Sequence, residues 1–341
     1  MSKQYYRPYA LECLLLAAIS LASSCKDQTA SPTLSASQVQ ASVQAMDKLI
    51  DAGEFENALR VARELAAKAP DDALASEALA RALLRQCDTN PSASCRVETA
   101  AAYAKAAAQR PTSSGLASAA GIAAFSAGQI DESIRFHQKA GKLEPGNPQH
   151  LYMEAMMWNV STQPTSSIEL FERALKLDPN SADIEMGWAE ALAQVGDPPR
   201  TLEHMQRART LAPQNPAIRF RGAKILRDLG KPLEAAELLL GGVSIGSANE
   251  ATCQLCAQCL SDAGQHEQSA QVWERIAAMT LMQPQPLLEA ARSWSRAGHQ
   301  ETALLFLEKA RQANASQAYF ELAQSEIMAR QPQQPQQPQQ P

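Results

Sequence analysis

The residue types that do chemistry are sparse in this chain, and their spacing argues against a reaction centre. Three thiols stand at Cys253, Cys256 and Cys259, in the order Cys-x-x-Cys-x-x-Cys. Thiolates this close could hold iron, but an iron–sulfur loop needs a fourth cysteine and none follows. A helix would turn successive residues by about 100°, so Cys253 and Cys259 would diverge. The three are expected to be buried small apolar residues, with a disulfide among them or a metal site as the alternatives. His137, His150, His204, His266 and His299 are far apart, and none forms a His-Glu-x-x-His pair. No nucleophile elbow of the Gly-x-Ser-x-Gly kind and no phosphate-cradling glycine loop occurs. The expectation is a protein that is not an enzyme, with no cofactor and no catalytic or metal site.

The elements that carry these residues are helices. Alanine comes in runs such as Ala100-Ala101-Ala102 and Ala106-Ala107-Ala108, and it is the best helix former. No long alternating β-branched run appears, so strands are not expected. Aromatic residues make up 5% of the chain, few for a compact core. A net charge of -5, with both signs scattered, reads as a solvated helical surface and argues against nucleic acid.

A repeat organises the helices. Gly196, Gly230, Gly264 and Gly298 follow one another at 34-residue steps; two steps back from Gly196 lie Thr162 and Gly128, and Gly53 heads an earlier unit. Five residues after each of these places stands Ala58, Ser133, Ser167, Thr201, Ala235, Ser269 or Ala303. Seven further on stands Leu65, Ala140, Ala174, Ala208, Gly242, Ile276 or Ala310. Seven residues before them stands Met46, Gly121, Ala155, Ala189, Ala223, Ala257 or Ala291. Pro70, Pro111, Pro145, Pro179 and Pro213 close the early units. Small residues are needed where two helices cross, glycine where a tight turn is left-handed, and proline where a helix must stop.

This pattern resembles the tetratricopeptide repeat. The resemblance implies an all-α, right-handed superhelical solenoid of antiparallel helix pairs, with about eight repeats. The units are 39–72, 73–113, 114–147, 148–181, 182–215, 216–249, 250–283 and 284–317, followed by a capping helix at 318–330. The second unit is longer by seven residues, and Cys87 and Cys95 flank the insertion. If the insertion replaces the tight turn, the two cysteines lie at adjacent helix ends, where they either form a disulfide or stay free.

The chain begins with Lys3 and Arg7, a short apolar run around Leu14–Ala22, and small residues before Cys25. The run is too short to span a membrane. It resembles a bacterial lipoprotein signal, which implies cleavage after residue 24 and lipidation of Cys25. Ordinary signal cleavage, giving a soluble periplasmic protein, and an uncleaved N-terminus are the alternatives. Residues 25–38 read as a flexible tether. The tail 331–341 has proline at every third place; it reads as a disordered spacer or as a polyproline ligand.

In this family the first helix of each pair lines a concave face. In units three to six its inward places carry Ile122, Phe125, Tyr152, Met153, Met156, Asn159, Met186, Phe220, Arg221, Lys224 and Arg227. That set is an apolar, Met-rich centre with a basic edge, suited to an adaptable protein or peptide partner, unless some of these side chains simply pack between helices. Some members clamp a carboxylate with lysine and asparagine at the fifth and ninth places. Tyr152 and Met156 stand there in the fourth unit, so that mode is not carried over. The expected function is a non-catalytic scaffold of the bacterial cell envelope, anchored by a lipid on Cys25 and facing the periplasm or cell surface. The alternatives are an accessory subunit that presents substrates to an envelope enzyme or assembly complex, a metal- or redox-active protein, and a cytosolic co-chaperone.

Overall fold

A computed structural model describes residues 34–330, apart from 162, 245 and 247. The expected signal segment, Cys25, most of the tether and the Gln/Pro tail lie outside the described residues. Seventeen α-helices and no strand occur among the described residues. They form two bodies, divided after Gln109.

The first body holds α1 (Ala36–Asp51), α2 (Phe55–Lys68), α3 (Ala73–Thr89) and α4 (Ala93–Gln109). Helix α1 starts inside the stretch read as tether. Ser35 and Gln38 form a capping box there, which satisfies the amide hydrogens that open a helix. The seven-residue insertion does not make a loop. It lengthens α3 and α4 to 17 residues each and leaves a turn of three residues, Asn90 to Ser92. Cys87 in the last turn of α3 and Cys95 in the first turn of α4 are joined by a disulfide, with Cα atoms 5.8 Å apart.

The second body stacks helix pairs in chain order. Its helices are α5 (Ser114–Ser126), α6 (Ile130–Leu143), α7 (Pro148–Val160), α8 (Pro164–Leu177), α9 (Ala182–Val195), α10 (Pro198–Leu211) and α11 (Pro216–Asp228). They continue as α12 (Pro232–Ser244), α13 (Glu250–Asp262), α14 (His266–Met279), α15 (Pro284–Arg296), α16 (Gln300–Gln312) and α17 (Gln317–Met328).

Local chemistry sets the helix ends. The side chains of Ser113, Asn147, Ser181, Asn215 and Asn249 each accept a hydrogen bond from a backbone N–H in the first turn that follows. Each such cap contributes about 1 kcal/mol. Within the pairs, Gly128, Gly196, Gly230, Gly264 and Gly298 turn the chain with φ between +74° and +87°.

The small residues found by spacing mark the helix crossings. Ala155, Ala189, Ala223, Ala257 and Ala291 are fully buried, as are Ser133, Ser167, Thr201, Ala235, Ser269 and Ala303. At two crossings the contact is a hydrogen bond as well. Ser133 Oγ donates to the Gly121 carbonyl at 2.7 Å, and Ser269 Oγ donates to that of Ala257 at 2.9 Å. Backbones this close leave no room for a longer side chain, which is why the repeat demands small ones.

Candidate partner-binding face

The first helices of successive pairs in the second body, α5, α7, α9 and α11, carry the side chains proposed for partner binding. Helix α9 packs against α7 on one side and α11 on the other. Two glycines set how closely. A Cβ at Gly187 would lie 2.7 Å from the Phe171 ring and 3.2 Å from Met156 Sδ. A Cβ at Gly222 would lie 3.3 Å from Leu238 and 3.7 Å from Met186 Cε. Met186 therefore fills the seam between α9 and α11, and Met156 reaches into the seam between α7 and α9 while staying half-buried.

This close packing corrects two members of the expected set. Met186 is 0% exposed and Asn159 is 5% exposed, so both belong to the packing between helices. Tyr152, Met153, Met156 and Phe220 are half-buried, with Tyr152 in tilted contact with Phe171 at 6.3 Å between ring centroids. The open apolar surface is on α5: Ile122 is 49% exposed and Phe125 40%, one helical turn apart. A residue three places on lies on the same helix face, so these two form one patch.

The basic edge is largely neutralised. Arg221 Nε donates to Glu190 Oε1 at 2.7 Å and its Nη2 to Oε2 at 2.9 Å, a bidentate pair. Its Nη1 lies 3.5 Å from Asp183. Burial works against the guanidinium charge, but Glu190 and Tyr152 outweigh it and hold the group more firmly protonated than usual. Burial raises the Tyr152 phenol above its ordinary range. Arg227 donates to Gln258 at 3.2 Å and lies 3.7 Å from Asp228. Lys224 is exposed and has no ion pair among the described residues. Glu190 and Asp183 are the residues that sequence reasoning missed. They occupy the ninth and second places of the fifth unit, which the repeat itself marks as inward.

Other reactive side chains serve the core. Glu185 on α9 and His204 on α10 are bonded at 2.6 Å, both nearly fully buried, with the imidazole stacked on Trp188 at 4.1 Å between centroids. That arrangement ties α10 to α9 and turns the imidazole away from solvent. Cys253, Cys256 and Cys259 are free thiols buried on α13. Burial pushes the Cys256 thiol up to about 12 and that of Cys259 up to about 11, so both stay protonated and poorly nucleophilic. Among the described residues no group of three His, Cys, Asp or Glu side chains is placed to hold a metal ion.

No protein-family model and no curated protein matches the chain. Solved structures do. A tetratricopeptide repeat protein from Parabacteroides merdae is similar over 85% of this chain and 98% of its own, at 12% identity and a TM-score of 0.57. PilF of Pseudomonas aeruginosa shares 15% identity over 64% of this chain and 99% of its own, with a TM-score of 0.48. YrrB, a TPR protein with an unusual peptide-binding site, shares 16% identity over 51% of this chain and 86% of its own, with a TM-score of 0.44. The first of these carries the likeness in fold. Together with the paired helices and their small-residue crossings, it gives this chain the fold of a tetratricopeptide repeat protein.

Proposed function

We propose that this protein is a non-catalytic scaffold that holds a segment of a partner protein against the first helices of its second body. The observation that carries the reading is the exposed pair Ile122 and Phe125, continued by the half-buried Met153 and Met156. Apolar side chains left together on a binding-type surface are where a partner's own apolar side chains would be buried. Methionine adapts to different shapes, which favours a partner segment bound through side-chain packing. The pairing of Arg221 with Glu190 and Asp183 argues that charge contributes little to this contact.

We further propose that the chain is exported and tethered to a bacterial membrane through a lipid on Cys25, facing the periplasm or cell surface. The short apolar run before Cys25 supports this. Membrane fractionation tests it: Cys25→Ser should release the protein into the soluble fraction, and retention in the membrane would refute the anchor.

The binding face is tested by Ile122→Glu with Phe125→Glu. Both side chains are already solvent-exposed, so helicity and melting should be unchanged. Capture of native partners from an envelope extract should fall at least tenfold, since a buried charge at a contact costs more than about 1.4 kcal/mol. Unchanged capture with unchanged helicity would remove this face from consideration.

A further inference from the structure

Helices α5 and α7, which carry Ile122, Phe125, Met153 and Met156, both pack on α6. Two histidines stand at that junction. His137 of α6 is fully buried, with its ring over Gly121 of α5, one residue before Ile122. Ser133, one turn earlier on α6, donates to the Gly121 carbonyl, so the ring sits at the crossing itself. His150, in the first turn of α7, is 5% exposed. Glu144, in the turn between α6 and α7, joins the outer two helices. It accepts from Ser114 Oγ at the start of α5 at 2.6 Å, and it bonds His150 Nε2 at 3.2 Å.

The two imidazoles differ in what a proton would meet. On His150 it keeps a carboxylate partner, Glu144. On His137 it has none. Helix α5 holds no ionisable side chain. Helix α7 offers His150, a second base; its Glu154 is taken up by Gln138 and Trp158, and its Tyr152 lies against Phe171. On α6 itself, Asp131, Glu132, Arg135, Lys139 and Lys142 stand on the sides away from the ring. Among the described residues, neither nitrogen of His137 and not Nδ1 of His150 has a hydrogen-bond partner. A buried charge without a partner is costly, so the His137 ring must leave its place to take up a proton.

We propose that α5, α6 and α7 form an acid-opened latch beneath the partner-binding face: protonation of His137 drives its ring off Gly121, parts α5 from α6, and separates Ile122 and Phe125 from Met153 and Met156. The proposal rests on the reading of those four residues as the binding face. Its direction follows from the two states of the ring. Burial, and then His150, hold the packed imidazole at about 4, whereas a released one takes up its proton at the ordinary value. The open form therefore gains as pH falls below about 6.5, and gains no further below about 4. Between about pH 7.5 and about pH 5 the gain is roughly 30-fold. Bonds from Ser114, Asn147 and His150 hold the Glu144 carboxyl below the usual carboxylate range, so its bridge is intact at pH about 5. Stacked units open locally, so the rest of the second body stays closed.

Hydrogen exchange of the full chain at about pH 7.5 and about pH 5, corrected for the intrinsic rate at each, tests the latch without any partner. Protection across α5 to α7 should fall roughly 30-fold at the lower pH, while that of α13 to α17 holds. His137→Phe and His137→Leu should each abolish the fall. Gly121→Ala places a Cβ 2.6 Å from the imidazole Nε2 and should loosen the same three helices at neutral pH. Equal protection of the native protein at both pH values would overturn the proposal. So would a fall that persists in both His137 variants, or one spread evenly over the second body. Capture from an envelope extract separates the latch from the face it controls. The native protein should capture less at the lower pH, and His137→Phe should capture equally at both. The same loss in both proteins would overturn the latch. Failure of the face shows separately, as capture indifferent to Ile122→Glu with Phe125→Glu while the exchange pattern holds.

Discussion

His137 lies wholly buried on α6, with its ring against Gly121; a Cβ there would stand 2.6 Å from Nε2. Among the described residues neither ring nitrogen has a hydrogen-bond partner. Burial, and then the neighbouring His150, push the imidazole down to about 4. The sign of the pH effect follows. The unfolded chain takes up the proton near the ordinary histidine pKa and the folded chain only near 4, so stability is full above about pH 6.5 and falls as pH drops towards 4. The loss should reach about 3 kcal/mol. Glu144 acts in the same direction. Hydrogen bonds from Ser114, Asn147 and His150 hold its carboxyl below the usual range, so its share of stability is also lost on acidification. Chemical denaturation at a series of pH values checks this. His137→Phe should flatten most of the slope between neutrality and pH about 4 and leave the part due to Glu144, which sets in only below about pH 4.5. An unchanged slope in that variant would mean that His137 is not the titrating group.

At the scale of elements, the Cys87–Cys95 bond stands where two lengthened helices meet across a three-residue turn. Closing so short a loop stabilises by about 2–3 kcal/mol in the chain-entropy account. Cys87→Ser with Cys95→Ser should therefore lower the melting temperature and loosen the facing ends of α3 and α4; intact mass under non-reducing conditions tracks the bond itself. Much of this architecture was legible beforehand. Crossing positions such as Ser133, Ala189 and Ser269 could be read because a helix crossing tolerates nothing large, so the constraint is written in residue size. The destination of the seven inserted residues was not legible. Ala93, Ser94 and Cys95 suit a helix start as well as a loop, and their neighbours decided it. The inward face was half legible. The repeat identifies which side of α9 faces inward, but the burial of Met186 depends on Gly222 of the next helix letting α11 come close. The neutralisation of Arg221 likewise depends on the reach of Glu190 across from α9. Such contacts between units follow from side-chain length and helix spacing, and neither is carried by the period.

On the scale of the whole second body, two clusters of its core meet at α9. Ile184, Trp188, Ala191 and Leu192 of α9 pack with Leu151, Leu170 and Phe171, while Met186 and Ala189 join a larger cluster that runs through to Ile327 on α17. In a stacked array each pair touches only its neighbours, so stability is a sum of local terms and openings can stay local. Phe171→Ala and Leu288→Ala, each at a fully buried site, should cost about 3–5 and 2–5 kcal/mol. Hydrogen exchange read by mass spectrometry should localise the two losses differently. Phe171→Ala should lower protection across α7 to α9 and leave α13 to α17 near native, and Leu288→Ala should do the reverse. Helix α9 should respond to both, because its opposite faces belong to different clusters. A uniform loss of protection after either substitution would mean that the helix pairs open together, and the repeat would then be a pattern of sequence without a matching pattern of stability.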